Sequence, residues 1–143
     1  MALPDTIQWK TPTAQTTGIS AAVIAAAGNY LGSAIDNRTN LDQFCTIEVL
    51  ANFSVAPTAN KIISVYVLYS VDGVNFEDGS TTVDPTKSPV GVLVTRNVIG
   101  NQRVVIHGVP LDPHQFKVLV VNDADQTATV TVSLYTTRHE VVD

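Results

Sequence analysis

The side chains of this sequence that could do chemistry are few and scattered. The histidines are His107, His114 and His139, and no two of them have the spacing that sets two imidazoles on one metal ion. His107 and His114 flank one proline-rich stretch, but the single cysteine, Cys45, is far from both in sequence. Solvated or hydrogen-bonded imidazoles are the simpler expectation. Cys45 lies in the apolar run Phe44-Cys45-Thr46-Ile47, which predicts a small buried hydrophobe, and with one thiol no intrachain disulfide can form.

The acidic segment Asp72-Gly73-Val74-Asn75-Phe76-Glu77-Asp78-Gly79 offers oxygen ligands. It lacks the spacing of a calcium loop and its closing glutamate, so an Asp/Asn/Gly turn is the better account. No serine lies in a Gly-x-Ser-x-Gly turn, and no glycine-rich loop opens a helix to cradle phosphate. Glu77 and Asp78 are sequence neighbours, whereas glycosidases hold two carboxyls apart across a cleft. The sequence therefore assigns no catalytic residue, no metal ligand and no cofactor, and a non-enzymatic protein is expected.

The elements that would carry any function are strands. The chain has 143 residues, enough for one domain, with 45% hydrophobic and 15% charged residues. Val and Thr are abundant, which favours strands. Gln43 to Ser54 alternates, with Cys45, Ile47, Val49, Ala51 and Phe53 on one face. In the last long strand Ala128, Val130, Val132 and Leu134 face inward. Lys61 to Val71 is almost continuously apolar, as in a central strand covered on both faces. Tyr30 to Ile35 is a further strand, and 77 to 89 a long surface loop. Hairpins are expected around Gly100-Asn101 and around Asn122-Asp123-Ala124-Asp125. Val109-Pro110-Leu111-Asp112-Pro113 is read as a crossover between sheets, because two prolines cannot sit in a central ladder. Residues 19–28 are read as strand, with a short alanine-rich helix capped by Ser20 as the alternative. Seven to eight short strands at about ten-residue spacing predict an all-β antiparallel sandwich, jelly-roll-like or immunoglobulin-like.

The sandwich is assigned to residues 19–143, and residues 1–18 to an extended N-terminal arm. The arm holds Pro4, Pro12 and the only tryptophan, Trp9. Trp9 offers a large contact area, to a partner or to its own domain. Ile7, Trp9, Thr11 and Pro12 are the residues expected to meet a partner.

The net charge is −5, and the basic residues form no cluster, so direct nucleic-acid binding is not expected. The first ten residues have no apolar core of a secretion signal, and Ile19 to Ala27 is too short to span a bilayer. A soluble protein made in a reducing cytoplasm is expected, with no membrane partner.

Several segments, taken in order, resemble a known group. They are Gly32-Ser33-Ala34-Ile35-Asp36-Asn37, the strand from Gln43, Ala56-Pro57, Val65 to Gly79 with its Ser-Val-Asp-Gly-Val-Asn-Phe turn, and Val109 to Lys117. The order resembles that of small structural proteins of tailed bacteriophages, of the capsid decoration or cement kind. The resemblance covers about residues 30 to 137 and rests on no single diagnostic motif. It implies a β-rich, often trimeric protein on the outer surface of the virion capsid, made in the host cytoplasm, that bridges neighbouring major capsid proteins and stabilises the shell. A tail or neck component and a carbohydrate-binding sandwich are the alternatives.

Overall fold

The computed structural model describes residues 6–14 and 17–142, and every regular element among them is a β-strand. In chain order they are β1 (Thr6–Trp9), β2 (Thr13–Ala14), β3 (Ile19–Ile24), β4 (Gly28–Leu31), β5 (Ile35–Asp36), β6 (Phe44–Phe53), β7 (Ile62–Ser70), β8 (Gly91–Val94), β9 (Gly100–Pro110), β10 (Gln115–Asn122), β11 (Ala128–Thr137) and β12 (His139–Val142).

One sheet has the order β2/β3-β11-β6-β9, with β2 and β3 in line along β11. The other has the order β4/β5-β10-β7-β8, with β4 and β5 in line along β10. All neighbours are antiparallel. From β3 onward the chain changes sheet at nearly every connection, and only β4 to β5 and β7 to β8 stay within one. This four-on-four weave is that of a jelly roll, one of the two sandwich forms expected. β1 and β12 form a separate two-stranded ribbon.

The expected hairpins at 100–101 and 122–125 are crossovers instead. β8 pairs with β7 and β9 with β6, while β10 pairs with β7 and β11 with β6. Two side-chain amides hold these corners. The Gln102 amide accepts from the Arg96 N–H (2.7 Å) and donates to the carbonyls of Arg96 (3.0 Å) and Val98 (3.2 Å). The buried Asn122 amide donates to the carbonyls of Ile24, Ala25 and Gln126 and accepts from the Ala124 N–H. Both amides satisfy backbone groups that turn away from one sheet before the other receives them. The crossover read at 109–113 holds, and Pro110 ends β9, an edge strand that tolerates it.

Residues 19–28 form β3, a turn and the start of β4, so the strand reading holds. The strand expected from Tyr30 to Ile35 breaks in two at Gly32. A Cβ there would lie 2.3 Å from the Gly18 carbonyl oxygen, so only glycine permits this approach.

The core lies between the sheets and follows the alternation: Ile47, Val49, Ala51 and Phe53 of β6 and Ala128, Val130, Val132 and Leu134 of β11 meet Ile63, Val65 and Val67 of β7 and Phe116, Val118 and Val120 of β10. Each fully buried Val, Leu, Ile or Phe among them adds about 1.5–3 kcal/mol of transfer free energy. A second, smaller cluster lies on the opposite face of β7 and β10, where Leu68, Leu119 and Val121 are buried with Leu31 and Tyr66 beside them. β7 is thus covered on both faces, as its almost continuous apolar run predicts.

The connection from β7 to β8 helps to make that second cover. Gly79 lies against Leu68 and Leu119, and the Asn29 amide of β4 donates to the Ser80 carbonyl and the Asp84 carboxylate. The same connection closes an open edge. β8 pairs only with Ile62–Val65, and farther along β7 the Tyr69 N–H donates to the Glu77 carboxylate (2.9 Å) while the Lys87 ammonium donates to the Val67 carbonyl (2.9 Å). Glu77 and Lys87 are themselves paired at 2.7 Å.

Candidate interaction face

β1 and β12 extend the pairing of β2 with β11 past the end of the sandwich. The Lys10 N–H donates to the Arg138 carbonyl, and the Thr137 hydroxyl donates to the Lys10 carbonyl. The register then runs Trp9 to His139, Gln8 to Glu140, Ile7 to Val141 and Thr6 to Val142. Both ends of the chain build this ribbon. Residues 139–142, read from sequence as part of the sandwich, stand with the arm, and Thr13–Ala14 of the arm already belongs to a sheet. The reason is that β11 runs on into β12 with one residue between them and carries its neighbour along.

Residues directly opposite in an antiparallel pair project from the same face. One face of the ribbon therefore carries Ile7, Trp9, His139 and Val141, and the other carries Gln8 and Glu140. The Trp9 ring lies 3.9 Å from the His139 ring and 5.4 Å from that of Phe44, centroid to centroid. Even so, Trp9 is 57% exposed, Ile7 70% and Val141 58%. Such a row of solvent-facing apolar side chains is the kind of surface that marks a contact site.

The base of the ribbon is fastened. Arg138 donates to the Asn40 carbonyl, and its guanidinium lies 3.7 Å from the buried Asp42 carboxylate and 4.0 Å from Glu140. The His139 N–H donates to the Gln43 side-chain carbonyl. The ribbon's direction is thus tied to the connection between β5 and β6.

Of the four residues expected to meet a partner, Ile7 and Trp9 come together on this face. Thr11 and Pro12 lie exposed in the connection between β1 and β2. His139, Val141 and Phe44 complete the face; the sequence singles out His139 only as a histidine weighed for metal binding, and the other two not as contact residues. The alternation His139-Glu140-Val141 was a strand signal, but it becomes a face only when β1 lies beside it.

Cys45 and Asp72, considered for chemistry from sequence, and Tyr69, which was not, have structural surroundings. Cys45 is buried, and burial pushes its thiol up to about 12. The Asp72 carboxylate accepts from the N–H groups of Val74 and Asn75, the Asn75 amide and the Ser70 hydroxyl, which hold its carboxyl well below the usual range. The Tyr69 hydroxyl donates to the Pro110 carbonyl at 2.6 Å, and burial raises its pKa to about 12. Among the described residues no three His, Cys, Asp or Glu side chains converge as metal ligands.

Comparison with protein-family models, with curated proteins and with solved structures gave no significant match. The functional reading rests on the fold and on this face.

Proposed function

We propose that this chain is a virion structural protein of a tailed bacteriophage, a head decoration or cement protein that docks on the outer capsid surface and bridges neighbouring major capsid proteins. The observation that carries the proposal is the amphipathic terminal ribbon: Ile7, Trp9 and Val141 stand in solvent on one face, beyond the sandwich, with their direction set by Arg138. A two-stranded ribbon is marginal on its own in water, and packing against a further surface completes it. The jelly roll behind it is an architecture shared with viral capsid and lectin domains, an analogy of fold that adds to the reading.

The energetics suit attachment in many copies. Covering three such side chains removes on the order of a few hundred Å² of apolar surface, worth several kcal/mol before the cost of association is met. One contact of that size is weak, but many copies on one lattice reinforce one another. Binding only the expanded shell then stabilises it by mass action. The lectin alternative has less to stand on, because the exposed Tyr30 and Tyr135 belong to different sheets and form no common platform for a sugar ring.

The test is co-sedimentation of the purified protein with expanded and unexpanded capsids of the phage whose major capsid gene neighbours this one. Binding to the expanded shell, lost in an Ile7→Ser/Trp9→Ser/Val141→Ser variant that keeps its β-rich circular dichroism, is the expected result. Equal binding by that variant would remove the ribbon from the proposal. No binding to either shell would remove the capsid.

A further inference from the structure

The two sheets differ in what covers their outer faces. The face of β10 and β7 is covered in part by the chain's own β7–β8 connection, which lies against Leu68 and Leu119. Among the described residues no such connection covers the outward side chains of β11, β6 and β9: Thr46, Glu48, Leu50 and Ser133 are half-buried, and Tyr135, Arg103 and Val105 are exposed.

The strands of each sheet carry one acidic residue and one Lys or Arg, Asp36 and Lys117 in the sheet of β7 and β10, but the β7–β8 connection that covers that sheet adds Asp72, Glu77, Asp78, Asp84 and Lys87. The strands β2, β3, β6, β9 and β11 together carry one acidic residue, Glu48, and one Lys or Arg, Arg103, within a chain of net charge −5. The two side chains lie 3.7 Å apart, in a loose pair with Arg103 60% exposed. Around them the register sets Ser133 and Val105 on either side of Glu48, and Leu50 opposite Arg103.

We propose that this outer sheet face is a self-association surface, on which a second copy of the chain packs face to face. Two copies that each carry −5 repel, and they approach most easily where each presents a neutral face. A two-fold pairing makes that face self-complementary, because Glu48 of each copy can meet Arg103 of the other. The size is adequate: four strands of about eight residues span roughly 19 by 26 Å at ordinary strand spacing and rise. Side-chain relief brings that to the scale of the ~800 Å² per partner of a standard interface. The face is distinct from the ribbon face, so the inference stands whether or not the ribbon binds a capsid.

The test is sedimentation equilibrium of the full chain from low to high micromolar concentration. A monomer–dimer equilibrium is expected for the wild type. Ser133→Lys/Val105→Lys places two ammonium groups beside Glu48 within its own sheet, which the fold accepts, and should weaken dimerisation at least tenfold. Glu48→Arg should also weaken it, and Glu48→Arg/Arg103→Glu should restore it by exchanging the partners. Circular dichroism confirms that each variant is folded, and Trp9→Ser should dimerise like the wild type. A wild type that stays monomeric, a trimer, which a face-to-face pair cannot give, or undiminished dimerisation of Ser133→Lys/Val105→Lys would each overturn the proposal.

Discussion

Trp9 and His139 come from opposite ends of the chain and lie directly across from one another on β1 and β12, their ring centroids 3.9 Å apart. This contact helps to join the two termini into one ribbon. It lies outside the core between the sheets, so the ribbon's stability and that of the sandwich are separable.

Trp9→Ala should therefore remove a local aromatic contact worth about 0.5–1.5 kcal/mol without unfolding the sandwich. The urea midpoint followed by far-ultraviolet circular dichroism is expected to move little, because Trp9 is mostly exposed. Amide exchange at Gln8 and Glu140, the hydrogen-bonded pair between the Trp9/His139 and Ile7/Val141 pairs, should quicken. As the only tryptophan, Trp9 also reports on the ribbon by its fluorescence in the wild type, and its emission should shift to the blue when a partner covers it.

Arg138→Ala should loosen the ribbon at its base. The substitution leaves the Asp42 carboxylate, which is buried, without its guanidinium partner, at a cost of about 1–3 kcal/mol. Hydrogen exchange should rise at Lys10, whose N–H donates to the Arg138 carbonyl, and the fluorescence anisotropy of Trp9 should fall. Unchanged exchange at Lys10 would mean that Arg138 does not hold the ribbon.

Asn122→Asp should destabilise the whole domain by at least about 2 kcal/mol in urea titration. The Asn122 amide nitrogen donates to three carbonyls at a sheet-to-sheet corner. A carboxylate cannot donate to any of them and would be ionised in a buried site.

Acid should weaken the fold through its hydrogen-bonded carboxylates. Burial pushes the Glu77 carboxyl up, but the Lys87 ammonium and the Tyr69 N–H outweigh it and hold it below its ordinary 4.5. Asp36, beside Arg38, and Asp125, bonded to Thr58, are held below their ordinary 3.8, as is Asp72. Each is a stronger acid folded than unfolded, so its contribution is complete above those ordinary values and is lost as pH falls through the lower folded ones. The urea midpoint should stay level from pH 7 to about 5 and decline below about 4. In Lys87→Met the midpoint should be lower at neutral pH and its decline in acid shallower, because without the ammonium the folded Glu77 carboxyl is no longer held as far below its ordinary 4.5. The same variant frees the Val67 carbonyl on the β7 edge, so exchange at the Tyr69 amide should quicken at neutral pH.

Where the sequence was readable, the signal was local. The alternation of Cys45, Ile47, Val49, Ala51 and Phe53, and of Ala128 through Leu134, specifies which face of a strand is buried whatever its neighbours are. The almost continuously apolar run from Lys61 to Val71 marks a strand covered twice. Val109-Pro110 could be read as leaving a sheet, because proline removes a ladder donor. Turn residues at 100–101 and 122–125 marked reversals of direction but not which sheet the chain enters next.

The amino-acid order alone determined that this protein is all-β, that its strands are antiparallel, and which side chains of β6 and β11 face the core, since these follow from period-two patterning and turn chemistry within a few residues. Tertiary structure decided the jelly-roll weave, the cover over Leu68 and Leu119, and the ribbon that sets Ile7 and Trp9 beside Val141 and His139. Those features depend on long-range partners: the Asn122 amide reaching the Ile24 carbonyl, Lys87 reaching Val67, and β1 meeting β12. No local pattern encodes such pairs, because each forms only when the packed sheets bring distant backbone groups within hydrogen-bonding reach.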